Sequence, residues 1–403
     1  MKYALILGDG MADRPLAELG DKTPLEVSNK PYMDLLAKTA KEGMVKTIPE
    51  GFKPASDTAN LSVLGYAPEK YYTGRSPLEA VSLGIKMADD DIAIRCNLVT
   101  LSNEENYQDK TMVDYSAGEI STKEADELIK YVEANLGTED FHFYPGISYR
   151  HCLIVKHTTT GTDFTPPHDI SGKVVSEYLP KDKDAEFYRA LQEKSYELLK
   201  DHPVNLKRIK EGKNPANSIW LWGEGTKPLL DNFEQKFGKK GAMVCAVDLL
   251  KGIAISAGLK LYEVEGATGG VVTNFLGKGE TALKALLDGN DFVYVHIEAP
   301  DESGHQGNVK AKINAIEQID QNIVGTLFNG LTKAKEDFAI MVLPDHPTPI
   351  ATKTHAKEPV PFMIYSSTRD LGTNESYSEK DAEKTGYFIP VGSDLIKEFL
   401  SVK

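Results

Sequence analysis

The chain has 403 residues, more than one hydrophobic core normally spans, so two domains are expected. Hydrophobic residues make up 41% and charged residues 26%, which excludes a disordered or fibrous chain. A formal net charge of −14 makes nucleic acid a poor partner and favours a small-molecule substrate. Cys96, Cys152 and Cys245 stand alone, without CxxC spacing, so neither a disulfide framework nor a cysteine zinc site is expected. Asp9 interrupts the first apolar run too early for a signal peptide, and no stretch reaches the length of a membrane span. These features predict a cytoplasmic protein with no membrane partner.

In chain order, KYALILG reads as a buried strand that ends at Asp9 and a glycine. The spacing predicts a helix over 32–43, with Met33, Leu35, Leu36 and Met44 on its apolar face. PASDTANLSVLGY follows, and its small residues and apolar spacing suit a helix starting at Ser56. A serine there serves either as a helix cap or as a hydroxyl aimed along the helix dipole at an anion. The loop around Gly74, Arg75 and Pro77 precedes a helix over Leu78–Leu83, and Arg75 is assigned a structural role.

The pattern changes between residues 86 and 215. A strand carrying Arg95 and Asn97 is followed by a helix over Thr122–Leu136. FHFYPGISYRHCLIVKH reads as a hairpin turning at Pro145-Gly146, with Arg150 and His151 opening its second strand. A charged helix over Asp184–Asp201 then leads to the basic run around Arg208. This region is expected to be an inserted α+β domain, 86–215, within a main domain formed by 1–85 and 216–403. Arginines placed within strands of an acidic chain suggest an anion site.

From Ser218 the α/β alternation returns. SIWLWGEG, GAMVCAVD, LKLYEVEG, DFVYVHI and FAIMVLP read as strands separated by helices, among them one over Ala311–Leu331. Such alternation predicts an α/β fold with a doubly wound, mostly parallel sheet.

Three of these strands end in the same chemistry. The first ends at Asp9. DFVYVHI runs into Asp301 and His305, four residues apart and on one face of a helical first turn. FAIMVLP runs into Asp345 and His346, with His355 beyond a proline-stiffened turn. Strand carboxyl ends are where ligands sit in open α/β sheets. Carboxylates and imidazoles from several strands suit a pair of divalent cations.

The segments SDTAN, APDESGH, DHPTP, THAKEPVPF, RCNLVT and ASDTANLSVLGYAPEKYYTGRSPLEA resemble the archaeal-type cofactor-independent phosphoglycerate mutases, within the alkaline phosphatase superfamily. The resemblance covers most of the chain. It implies an alkaline phosphatase-like main domain and an inserted substrate-binding cap. It also implies interconversion of 3-phosphoglycerate and 2-phosphoglycerate without 2,3-bisphosphoglycerate, through a phosphoserine on Ser56. Asp301, His305 and His355 would hold one cation, and Asp9, Ser56, Asp345 and His346 the other. Mn²⁺ is the first choice, with Zn²⁺, Co²⁺ or Mg²⁺ as alternatives. Asn60 should lie near the serine. Arg95, Arg150, Arg208 and Lys251 are candidates for carboxylate and phosphate contacts. A homoserine kinase-like phosphotransferase on the same scaffold is the alternative activity, and the oligomeric state stays open.

Overall fold

The structure is a computed structural model that describes residues 1–182 and 185–402. Its strands, in chain order, are β1 (Lys2–Gly8), β2 (Lys41–Val45), β3 (Ile92–Leu101), β4 (Met112–Asp114), β5 (Phe141–Ile147), β6 (Arg150–Val155) and β7 (Ser218–Thr226). They continue with β8 (Gly241–Val244), β9 (Lys260–Leu261), β10 (Phe292–Ile297), β11 (Phe338–Leu343), β12 (Val360–Ser366) and β13 (Phe388–Ile389).

Two compact units form, Met1–Tyr72 with Leu229–Lys403, and Thr73–Pro228. The first carries an eight-stranded sheet in the order β13-β2-β12-β11-β1-β10-β8-β9. β1 lies between β10 and β11 and is parallel to both, and β8 and β9 continue the parallel run. Among the described residues, antiparallel pairing in this sheet enters only through β12, against β11 and β2. Period-two alternation sends Ala4 and Ile6 of β1 to one face, into a core shared with the helices Pro31–Ala37, Phe275–Leu287 and Val309–Ile319. Tyr3 emerges on the other face, edge-on to Phe399 of the helix Leu395–Ser401. Helices therefore cover both faces, and the central strands are apolar throughout because neither face meets water.

The second unit is built on an antiparallel sheet in which β3 pairs with β4, β6 and β7. The helices Thr122–Leu136 and Ala185–Leu199 pack a core on one of its faces. No helix of the described residues is long and apolar enough to cross a membrane. All three cysteines are buried and free.

Several local expectations are corrected. SIWLWGEG is β7 of the second sheet, where it runs along β3 from Val99 to Ile92. With β7 goes the helix Arg75–Ser82, so the unit boundaries lie at 73 and 228 rather than 86 and 215. The helix expected over 32–43 ends at Ala37, leaving Leu35 46% exposed, and Met44 belongs to β2. The hairpin turns at Ser148-Tyr149, where Ser148 takes a φ of 56°, not at Pro145-Gly146, which lie within β5. The charged helix begins at Ala185, and its expected start at Asp184 falls outside the described residues. The helix expected over Ala311–Leu331 is interrupted by a π-helical turn at Asp320–Val324. There Asp320 accepts hydrogen bonds from the amides of Tyr32 (3.2 Å) and Met33 (2.6 Å) at the start of the helix Pro31–Ala37.

Candidate active site

Because β10, β1 and β11 are adjacent and parallel, their carboxyl ends open on one edge of the sheet. Asp9 follows β1, the helix Ala299–Gln306 with Asp301 and His305 follows β10, and Asp345-His346 follows β11. Residues nearly three hundred positions apart in the chain, such as Asp9 and His296, are thereby brought together. The close approach depends on Gly10, whose φ is +60°. A Cβ there would lie 2.5 Å from Thr348 Oγ1 and 2.7 Å from the Asp301 Cα. Only glycine takes this backbone conformation in so narrow a gap without strain.

Asp301, His305 and His355 form one group. His305 Nε2 is 3.2 Å from Asp301 Oδ2, and His355 Nε2 is 3.3 Å from Asp301 Oδ1. The two imidazole Nε2 atoms are 3.0 Å apart. Asp9, Asp345 and His346 form a second group, with one ligand atom of each within 4.8 Å of the others. His346 Nε2 is 3.7 Å from Asp9 Oδ1, 3.4 Å from Asp345 Oδ2 and 3.2 Å from Ser56 Oγ. The rings of His346 and His355 stack with centroids 3.9 Å apart, so the two groups adjoin.

Ser56 is the first residue of the helix Ser56–Val63, and the cap position belongs to Ala55, which has no side chain to cap with. The hydroxyl is therefore not used as a cap. It sits at the positive end of the helix, where an anion is favoured.

The group is under electrostatic strain as it stands. Burial, then the charges of Asp345, Glu298 and Asp301, push the Asp9 carboxyl well above its usual range. Burial would raise Asp301 too, but His305 and His355 hold it well below the usual carboxylate range. The hydrogen bond to Asp301 lifts His305 to about 9. Burial depresses His346. Asp9 Oδ1 is fully buried and, among the described residues, has no hydrogen-bond partner. Crowded carboxylates, imidazoles whose donor atoms converge, and an unsatisfied buried carboxylate oxygen are what a site for divalent cations requires. The residues present fit such ions.

The remaining expected site residues divide. Asn60 does lie by the serine, its Nδ2 donating to Ser56 O (2.8 Å) and Asp345 Oδ2 (3.0 Å), while its Oδ1 accepts from Tyr294 Oη (2.5 Å). It is wholly buried, so its expected substrate contact is corrected to support of Asp345. Arg208 is corrected likewise. It is 3% exposed, and its guanidinium donates to Asn214 O, Ala117 O and Glu124. Each of its three nitrogens thus has an internal partner within a buried side chain.

In the second unit, Arg95 is ion-paired with Glu79 and lies over the Trp222 ring at 4.4 Å. Arg75 bonds the same Glu79 from one helical turn away, in keeping with its structural assignment. Arg150 is exposed at the start of β6, beside Tyr149. Lys251, on the helix Asp248–Ala257 of the first unit, is 3.9 Å from Glu263.

Sequence reading missed four supports. Thr348 hydrogen-bonds Asp301 and lies 3.3 Å from His346 Nδ1. Tyr294 fixes Asn60, and His296 meets Asp9. The buried Lys312 Nζ donates to Asp13 Oδ2 (2.7 Å), Thr348 O (2.9 Å) and Ala12 O (3.1 Å), tying the loops after β1 and β11 together. A histidine inside the apolar run FVYVHI was the one visible signal, since an ionisable group in a buried strand needs a partner.

This fold and this cluster define a class, a doubly wound α/β enzyme with a serine at a helix start beside carboxylates and imidazoles able to hold divalent cations. A model of the 2,3-bisphosphoglycerate-independent phosphoglycerate mutase family matches residues 37–205. A protein of that name from Methanosarcina acetivorans is 50% identical over 405 residues, covering 100% of both chains. The solved structure of a Pyrococcus horikoshii protein superimposes with a TM-score of 0.82 at 32% identity, covering 100% of this chain and 98% of that one. The cofactor-independent phosphoglycerate mutase of Thermoplasma acidophilum gives a TM-score of 0.65 at 27% identity, with 99% of each chain covered. The chain belongs to the family of 2,3-bisphosphoglycerate-independent phosphoglycerate mutases.

Proposed function

We propose that the chain interconverts 3-phosphoglycerate and 2-phosphoglycerate, with Ser56 carrying the phosphoryl group between the two hydroxyls. The observation that carries this reading is Ser56 Oγ, uncapped at a helix start and 3.2 Å from His346 Nε2. Asp9, Ser56, Asp345 and His346 would hold one divalent cation, and Asp301, His305 and His355 the other, with Mn²⁺ the first choice for this mixed oxygen and nitrogen set. When bound, the cations would acidify the serine hydroxyl and neutralise charge on the transferred group.

The chain's own groups do the rest. At the helix start the Ser56 oxygen would attack the phosphate, and the helix dipole would favour the phosphate's negative charge. Asn60 holds the Asp345 carboxylate and the Ser56 carbonyl together, so nucleophile and carboxylate keep one spacing. The glycerate must then turn and take the group back on its other hydroxyl. In this reading the second unit, 73–228, binds substrate, and Arg95 and Arg150 are its anion contacts. Lys251 of the first unit stays a further candidate.

The test supplies 3-phosphoglycerate and Mn²⁺ to the purified chain, follows 2-phosphoglycerate, and quenches for peptide mass spectrometry. Isomerisation with phosphate on the Ser56 peptide is the expected result. Isomerisation without any phosphoserine, or activity confined to homoserine with ATP, would overturn the reading.

A further inference from the structure

We propose that His296 is a positioning residue that divides the two oxygens of Asp9, holding Oδ2 and leaving Oδ1 for the cation beside Ser56. The inference rests on the reading of Asp9 as a ligand. In the parallel register of β1 and β10, His296 stands opposite Leu7, two residues before Asp9. Its Nε2 is 3.0 Å from Asp9 Oδ2, and both side chains are fully buried.

The surroundings favour one tautomer. Among the described residues Nδ1 has no hydrogen-bond partner, and Glu298 Oε2 is 3.6 Å from it, beyond hydrogen-bonding distance. A proton on Nδ1 would leave the Nε2 lone pair facing a buried carboxylate oxygen at 3.0 Å. With Asp9 ionised, as a cation ligand would be, the proton sits on Nε2 and is donated to Asp9 Oδ2. Lys278 Nζ, itself buried, donates to the His296 carbonyl at 3.0 Å and holds the strand at that residue.

Among the described residues Asp9 Oδ1 has no hydrogen-bond partner, and it lies 3.7 Å from His346 Nε2. A carboxylate free to rotate would present either oxygen and pay ordering entropy on binding a cation. One pinned through Oδ2 is already oriented. His296 thus acts on the serine-side site and not on the Asp301, His305 and His355 group.

The experiment titrates the metal-free, full-length chain with Mn²⁺ by calorimetry in a His355→Ala background, which leaves the serine-side site. His296→Gln keeps an amide donor near the position of Nε2, whereas His296→Asn places it nearer Nδ1 and His296→Leu has none. Weakening of about 10- to 100-fold is expected for Asn and Leu, with most of the affinity kept by Gln. Circular dichroism checks folding, and if the Leu chain fails to fold, the Gln and Asn pair decides. Equal affinities across the series, or Gln as weak as Asn, would overturn the inference. So would a third cation bound by the chain with an unaltered His355 and lost with His296, since the residue would then be a ligand. An Asp9→Asn control separates the two readings. If Asn at position 9 leaves Mn²⁺ affinity unchanged, the assignment of Asp9 as a ligand fails, whatever His296 does.

Discussion

Ser56 Oγ and His346 Nε2 lie 3.2 Å apart although 290 residues separate them in the chain. The helix Ser56–Val63 brings one and the end of β11 brings the other, so the contact exists only because both elements meet at one edge of the main sheet. Replacing Ser56 by alanine should lower turnover at least about 1,000-fold. Since Ala55 occupies the cap position, no capping bond is lost, and stability should change by no more than about 0.5 kcal/mol. Steady-state kinetics and a thermal melt measure the two effects. An alanine enzyme retaining much of the activity would reduce Ser56 to a bystander.

Gly10 sets how closely the loops after β1 and β11 approach. Gly10→Ala puts a methyl against Thr348 Oγ1 and the Asp301 backbone at a φ of +60°. The left-handed conformation and the overpacking together should cost about 2–4 kcal/mol. Asp301 should shift with its neighbours, so Mn²⁺ affinity should fall along with the melting temperature. Affinity preserved in a destabilised chain would show that the Asp301 group does not depend on this gap.

Arg208 gives the opposite expectation from its charge. Arg208→Met strands two backbone carbonyls and removes the cationic partner of Glu124, leaving it the Ser121 hydroxyl. Denaturant unfolding should reveal a loss of about 2–4 kcal/mol, with KM for phosphoglycerate unchanged. A raised KM in a stable protein would restore Arg208 as an anion contact.

Glu42 tests a buried charge away from the site. It is 3% exposed on β2, and among the described residues neither carboxylate oxygen has a hydrogen-bond partner. Burial, reinforced by Asp381 and Asp34 and opposed by Lys30, raises it to about 8. The folded state therefore holds a proton that the unfolded chain releases nearer 4.5, so stability falls as pH rises from about 4.5 towards about 8. Glu42→Gln should remove that decline and stabilise the protein by about 1–3 kcal/mol at pH 8. Melts of both chains between pH 5 and about pH 8 supply the comparison. A parallel pH dependence in the two would place the titration elsewhere.

Much of the site was legible in sequence because it follows strand periodicity. An apolar run that stops at an aspartate marks a buried strand and its mouth, which is how Asp9, Asp301 and Asp345 were found. His305 followed from helical spacing, and His346 and His355 from the segment after β11. Local patterns of this kind depend on neighbours in the chain, so one sequence can carry them. What the sequence could not carry was pairing. Nothing in SIWLWGEG says which sheet its backbone joins, and only the β3–β7 ladder decides it. Charge alone suggested Arg208 for substrate, and three internal acceptors claim it instead. The His296–Asp9 and Asn60–Asp345 contacts arise from strand order and register, which place β1 between β10 and β11. Strand order is settled by the packing of the whole sheet with its helices. The chemistry was therefore written in local sequence, and the assembly of that chemistry into one site was decided by the tertiary fold.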